Sequence, residues 1–151
     1  MDMISLRRAK IDEVRAGLEP MFRLHWEEIA LHKDVAPLSP NWEYYYAAER
    51  SGRLITIIAD DCAKIVGYNV YFLRDMIHNY PRVVAENDVL YISPEYRRGS
   101  LAARMLSFGE NEAKRRGACI VTMHVKKEHD FSSMLIRSGY AENEILLSKE
   151  L

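Results

Sequence analysis

The segment from Asn87 to Arg116 constrains the fold of this chain more than any other. An apolar run ends at Pro94, a short basic turn follows, and a long amphipathic pattern then begins. This order predicts a strand, a tight turn and a helix. The first N–H groups of a helix have no partner within it, and the helix dipole adds to their attraction for anions. With Arg97 and Arg98 beside them, they predict a site for a multiply charged anion, and a diphosphate is the obvious candidate.

The turn resembles the acyl-CoA-binding motif of the GNAT acyltransferases. That motif reads Gln or Arg, two residues, Gly, one residue, then Gly or Ala. Arg97 occupies its first position and Ala102 its last, whereas Ser100 stands at the usual middle glycine and Gly99 lies one position early. The similarity extends weakly over nearly the whole chain. As a whole, the sequence also resembles acetyltransferases encoded by bacteriophages. The resemblance implies a GNAT acyl-CoA N-acyltransferase fold that uses acetyl-CoA as cosubstrate.

The resemblance also assigns residues to the acyl-CoA site. In the family, pantetheine pairs with the backbone of the strand before the turn, and the turn itself binds the diphosphate. A need for positive φ at Ser100 would count against this assignment. The other interpretation of the turn is an ordinary connection from strand to helix with a solvated basic pair. The positions of this chain that match the family's pantetheine-pairing strand are Leu90, Tyr91 and Ile92. Those that match its diphosphate-binding turn are Arg97, Arg98, Gly99, Ser100, Leu101, Ala102 and Ala103.

Composition limits the classes of protein to consider. The chain has 151 residues, 48% of them hydrophobic and 28% charged, which is typical of one globular domain covering residues 1–151. A formal net charge of −1 argues against nucleic acid and acidic membranes as partners. Cys62 and Cys119 are expected to be free thiols of a cytoplasmic protein. His124, His129 and Asp130 have poor spacing for zinc, so we expect no metal.

Periodicity predicts the element order β-α-α-β-β-β-α-β-α-β, a mixed α/β sheet. Pro20 is expected to divide or kink the first helix, and Asp60-Asp61 to form a hairpin turn. The apolar run after Gly117 is expected to be a buried parallel strand. The predicted strands are Ile4–Arg8, Leu54–Ala59, Lys64–Leu73, Asn87–Ser93, Ala118–Val125 and Tyr140–Ser148. The predicted helices are Ile11 to about Leu31, Trp42–Arg50, Leu101–Arg116 and Asp130–Ser138.

Glu86 and Asp88 are the candidates for a general base. They lie two residues apart at the start of a strand, so simple alternation places them on one face with Leu90 and Ile92. In the histone-acetylating branch of the family, a catalytic glutamate lies four residues before the first pantetheine-pairing position. Counting back from Leu90 selects Glu86, with Asp88 as its substitute. The alternative is that both are polar residues in the loop before the strand.

Two residues that are usual in the family are absent. A tyrosine four residues before the glycine that ends the last short helix often protonates the leaving thiolate, but Leu135 stands there. Glu128 replaces an asparagine often found after the fifth strand. A thiolate needs no dedicated acid to leave, because a free thiol has a pKa of about 8.5.

Three residues are candidates to contact the acceptor. His25 and Glu28 lie on the first helix, which borders the acceptor cleft in the family, and His78 lies in a long connection before the fourth strand. The alternative for His25 is a histidine packed within the core. Trp42, Tyr45 and Tyr46 are neighbours on one helix face, which indicates either packing or a wall of the acceptor pocket.

Two function classes follow from these features. The first is an N-acetyltransferase that moves an acetyl group from acetyl-CoA to a primary amine of a small molecule or a protein. The second is a catalytically weak module that binds acyl-CoA or another protein on the same fold, an alternative motivated by the absent tyrosine and asparagine. Whether the protein forms a homodimer is left open by the sequence.

Overall fold

The computed structural model describes residues 4–151. The strands are β1 (Ser5–Arg8), β2 (Leu54–Asp61), β3 (Lys64–Asp75), β4 (Val83–Ile92) and β5 (Ala118–Thr122). The helices are α1 (Ile11–Ile29), α2 (Trp42–Arg50), α3 (Leu101–Arg115) and α4 (Ser132–Arg137). The five strands form one sheet in chain order, antiparallel from β1 to β4, with β5 parallel to β4. The predicted mixed α/β fold is confirmed.

The sheet is covered on both faces. One face packs against α1 and α2, and the other packs against α3. Strand alternation divides β2 accordingly, because Leu54 and Ile58 face α1 whereas Ile55 and Ile57 face the opposite layer. In α3 the buried residues recur every three or four positions, as a helix with one core-facing stripe requires.

Two local features differ from the sequence prediction, the predicted division of the first helix and the position of the hairpin turn, each for a physical reason. Pro20 does not divide α1, which is continuous from Ile11 to Ile29. Pro20 and Ala16 are both exposed, so water can satisfy the Ala16 carbonyl that lacks its usual donor. The hairpin between β2 and β3 turns at Cys62 and Ala63, both with positive φ, and not at the preceding aspartates, which belong to β2.

The predicted strand Tyr140–Ser148 does not form. Residues 141–151 have no regular secondary structure and are exposed. Glu142, Asn143 and Glu144 precede three consecutive apolar residues, so no alternation of apolar and polar side chains selects one face for burial. As a result, β5 is an edge strand. Its residues are exposed or half-buried, so the prediction of a buried strand is wrong.

Gly109 lets α3 approach the sheet closely. A Cβ added there would lie 2.6 Å from the Tyr71 ring, which is itself fully buried. We expect Gly109→Ala to lower the free energy of unfolding by about 2 kcal/mol, since overpacking exceeds the gain in helix propensity. This corresponds to a fall in Tm of about 4–8 °C. The matched control is Asn111→Ala, an exposed position of the same helix, and an equal Tm for both variants would contradict the close approach.

Within residues 4–151, no helix combines the length and the apolar character that crossing a membrane requires.

Candidate active site

The sheet opens between β4 and β5. The two strands pair only from Val83 to Glu86 of β4, opposite Ala118–Thr122. From Asn87 to Ile92, β4 has no neighbouring strand on this side within the described part of the chain. Its backbone there is an open edge to which an extended ligand can add hydrogen bonds. Leu90, Tyr91 and Ile92, the positions predicted to pair with pantetheine, lie on this edge.

A β-bulge places Asp88 at this opening. Val70 of β3 pairs with Val89 and Tyr71 pairs with Asn87, so Asp88 is the extra residue on β4. Its carboxylate accepts a hydrogen bond from the Tyr45 hydroxyl of α2 at 2.5 Å. Asp88 therefore lies on the α1 and α2 side of the sheet.

The bulge overturns the predicted side-chain alternation. Glu86 pairs with Phe72, which belongs to the core beneath α1 and α2. Leu90 and Ile92 belong instead to the apolar cluster that includes Met105 of α3. The two carboxylates therefore do not share a face with Leu90 and Ile92, because the extra residue reverses the alternation between them.

The two carboxylates differ in their surroundings. Glu86 is paired with Arg74 Nε at 3.1 Å and with His124 Nε2 at 3.5 Å. Asp88 keeps an open surface and has Tyr45 as its hydrogen-bond donor. Burial on its protein side raises the pKa of Asp88, the hydrogen bond from Tyr45 partly opposes this, and the nearby charge of Glu86 adds to it. A carboxylate with a raised pKa and an open surface is better suited to accept a proton than one held by Arg74 and His124.

The backbone conformation of the basic turn shows how Ser100 fits at the position where the family usually has glycine. Gly99 has φ of +87°, a left-handed conformation that glycine adopts readily, whereas Ser100 has φ of −98°. The turn therefore places its positive φ one position early, and Ser100 precedes α3 without strain. The condition that would have counted against Ser100 in the motif is not met.

The turn presents a row of unpaired backbone donors. The N–H groups from Gly99 to Ala103 have no acceptor among residues 4–151, and the first hydrogen bond of α3 runs from Arg104 to the Ser100 carbonyl. Arg98 is exposed next to them and has no carboxylate partner in the same range. A positive helix end, free donors and a free guanidinium form a site suited to phosphate oxygens.

Arg97 is engaged differently from its neighbour. Its guanidinium donates to both carboxylate oxygens of Glu28 at 2.7 and 2.6 Å, and its Nε donates to the Ile92 carbonyl. It also lies 5.3 Å from the Tyr91 ring centre. The Arg97 guanidinium holds the pKa of Glu28 below its usual range. The pair joins α1 to the end of β4, so in this conformation Arg97 contributes charge near the turn while its donors point to Glu28.

The remaining predicted site residues are dispersed. His25 is buried, its Nδ1 lies 2.8 Å from the Tyr68 hydroxyl, and burial lowers its pKa to about 4. It is thus a neutral core histidine, the alternative that the sequence left open. His78 is exposed in the connection from β3 to β4, near the end of β4 remote from Arg97. Leu135 is buried, so no hydroxyl stands at that position.

Some contacts of the site were not foreseen. The Tyr45 hydrogen bond to Asp88 was missed, although Tyr45 had been identified as a possible wall of the acceptor pocket. Arg74 and His124, which hold Glu86, were also missed, because Arg74 lies on β3, His124 follows β5, and no local pattern joins them.

Comparisons with known proteins agree with this architecture. The model of the acetyltransferase (GNAT) family matches residues 15–140. No curated protein sequence matches the chain.

Solved structures show the same fold at low sequence identity. An aminoglycoside acetyltransferase from an uncultured soil metagenomic sample, in complex with sisomicin, is 15% identical with a TM-score of 0.75, and the match covers 98% of this chain and 96% of that one. A predicted acetyltransferase with acetyl-CoA from Clostridium acetobutylicum is 18% identical with a TM-score of 0.74 and the same coverage. Glucosamine-6-phosphate N-acetyltransferase from Arabidopsis thaliana is 13% identical with a TM-score of 0.72, covering 98% of both chains.

Proposed function

This chain belongs to the GNAT acetyltransferase family, and from that premise we propose that it transfers an acetyl group from acetyl-CoA to a primary amine. The observation that carries the proposal is the opening between β4 and β5, which has free backbone donors at one end and Asp88 along its side. Acetyl-CoA laid along the β4 edge brings its diphosphate to the donors and its thioester towards Asp88.

In the proposed site, different elements bind the diphosphate and the pantetheine of acetyl-CoA. The N–H groups of Gly99–Ala103 and the Arg98 side chain bind the diphosphate. The backbone of Leu90–Ile92 pairs with the pantetheine amides as a strand would. Arg97 adds positive charge near the diphosphate from its position beside Glu28.

The chemical step needs a neutral amine and a leaving thiolate. The acceptor nitrogen attacks the thioester carbonyl, a C–N bond forms, and the C–S bond then breaks. Asp88 accepts the proton that the amine loses, directly or through water. The departing thiolate takes a proton from solvent, since a buried leucine occupies the position of the usual tyrosine.

The acceptor is proposed to be a cationic amine on a small molecule or a protein. Asp88 lies at the opening with no cationic partner among residues 4–151, and its negative charge attracts an ammonium group before that group is deprotonated. The solved relative in complex with sisomicin, an acetyltransferase of aminoglycosides, supports a polyamine-like molecule as the first acceptor to test.

A second candidate is a module that binds acyl-CoA with little turnover. It is favoured by Leu135, which supplies no proton donor where the family commonly has one. Acetyl-CoA binding without release of free thiol across a panel of amines, with aminoglycosides included, would support this candidate over the enzyme.

Binding is tested by calorimetry with acetyl-CoA and with CoA. We expect Arg98→Ala to weaken the binding of both compounds about tenfold at low salt. The loss should be smaller at high salt, because salt screens exposed charges. Arg50→Ala, an exposed arginine at the end of α2, is the matched control and should bind like the wild type. If the wild type binds neither compound, both candidate functions fail.

A further inference from the structure

A second cleft, called the polar cleft below, lies where the end of β1 meets the carboxyl ends of α2 and α3. It has a volume of about 890 Å³, and its walls are the residues that join β1 to α1, the end of α2, the first half of β2, and Arg116, which follows α3. The 15 residues of α3 separate Arg116 from the basic turn by about 22 Å. The polar cleft is therefore distinct from the proposed acetyl-CoA site.

The floor of the polar cleft contains a buried hydroxyl group without a partner. Thr56 lines the cleft and is only 4% exposed, and its Oγ1 makes no hydrogen bond within residues 4–151. Leu54 and Ile58 face α1, so strand alternation directs Thr56, which lies between them, to the side of the cleft. Buried polar groups are nearly always hydrogen-bonded, so an unpaired one marks a position where a bound molecule can supply the missing partner.

Two basic side chains of the polar cleft have unused donors. Nη1 of Arg116 donates to the carbonyls of Gly52 and Leu54 at 3.4 and 2.7 Å, which holds the guanidinium at the start of β2. Its other N–H groups have no acceptor in the described part of the chain. Lys10 is exposed and has no carboxylate partner there either. Both side chains can therefore donate to a ligand without breaking an existing ion pair.

Arg8 brings a second guanidinium near Arg116. Its Nη1 lies 3.2 Å from Glu112 Oε2, and the same buried carboxylate also accepts a hydrogen bond from Arg115. One carboxylate is thus shared between two arginines. Burial, together with the charge of Arg8, lowers the pKa of Arg116. An anion placed between the Arg8 and Arg116 guanidinium groups relieves this repulsion, and guanidinium donors match the geometry of phosphate oxygens.

The carboxylates that line the polar cleft are engaged at the start of α1. Glu49 Oε1 accepts a hydrogen bond from the Ile11 N–H at 3.0 Å, and Glu13 Oε2 accepts one from the Lys10 N–H at 3.4 Å. The second oxygen of each is free within residues 4–151 to accept a hydrogen bond from a ligand hydroxyl. None of the lining residues in that range is aromatic, so the cleft offers no surface on which a nucleobase could stack.

We propose that the polar cleft binds a small phosphorylated polyol, such as a sugar phosphate. The three basic side chains bind the phosphate, and the free carboxylate oxygens accept hydrogen bonds from the ligand hydroxyls. The Thr56 hydroxyl gains its missing partner. Inorganic phosphate satisfies only the basic side chains, so it binds more weakly. This proposal does not depend on acetyl transfer.

Calorimetry with glucose 6-phosphate tests the site. The wild type should bind one molecule, should bind inorganic phosphate more weakly, and should give no heat with glucose. Lys10→Gln should weaken glucose 6-phosphate binding about tenfold at low salt with unchanged Tm, because an exposed charge is removed and no contact is lost. Arg98→Ala is the matched control: it removes a cation from the basic turn and should leave glucose 6-phosphate affinity unchanged, also when CoA is present.

Thr56→Val tests the floor of the polar cleft. Valine has nearly the same shape without the hydroxyl, so Tm in the absence of ligand should be equal to that of the wild type or higher. Glucose 6-phosphate affinity should fall at least threefold. A wild type that does not bind this compound, or affinity that is unchanged in both Lys10→Gln and Thr56→Val, would overturn the proposal. Loss of binding in Arg98→Ala would place the phosphate at the basic turn and would equally overturn it.

Discussion

The Ala103→Glu variant is expected to lose acetyl-CoA binding while keeping its stability. Ala103 is exposed in the first turn of α3, where a glutamate interacts favourably with the helix dipole by about 0.3–1 kcal/mol. A glutamate at this third helical position also reaches back to the N–H groups before the helix. It therefore occupies the donors proposed for the diphosphate and repels its charge. Calorimetry should detect no heat of binding, whereas Tm should be equal to that of the wild type or higher.

The neutral variant Ala103→Gln separates charge from size. It is expected to bind acetyl-CoA with at most a modest loss, because the amide has the same length without the repulsion. Normal binding by Ala103→Glu would show that the diphosphate lies elsewhere. Equal loss in both variants would indicate obstruction by the longer side chain and would not support the anion site.

The basic turn could be predicted from sequence because its determinants are local. Pro94, the arginine pair, Gly99 and the start of an amphipathic helix lie within a dozen residues. Backbone conformation and free helix donors follow from such a stretch alone. The conformation of Ser100 follows from the same local logic, because Gly99 takes the positive φ that Ser100 does not need.

Non-local pairing explains what the sequence did not predict. The bulge at Asp88 depends on how β4 registers with β3, and simple alternation along β4 contains no sign of it. The Arg97–Glu28 pair joins residues 69 positions apart. The exposure of β5 was missed because a continuous apolar run predicts a buried strand, whereas the burial of β5 also depends on a neighbouring strand, 140–148, that does not form.

The Asp88→Asn variant is expected to lower turnover about a hundredfold at neutral pH while acetyl-CoA affinity stays nearly unchanged. Asparagine keeps the size of the side chain and can still accept the Tyr45 hydrogen bond, so the bulge should persist. Glu86→Gln is the matched control, and its effect should be small because Glu86 is already held by Arg74 and His124. Initial rates of thiol release, measured with a saturating amine, give the comparison.

The pH dependence identifies the group that titrates. A general base works when deprotonated, so kcat/KM should rise with pH through the pKa of Asp88, and partial burial moves that rise above the usual range of an aspartate. Tyr45→Phe removes a hydrogen bond that favours the ionised carboxylate, so the rise should move to still higher pH. In Asp88→Asn this rise should disappear, and the defect should shrink at high pH as the acceptor amine becomes neutral by itself. If Glu86→Gln shows these changes while Asp88→Asn keeps the wild-type profile, Glu86 is the base, and its pairs with Arg74 and His124 must open when the acceptor binds.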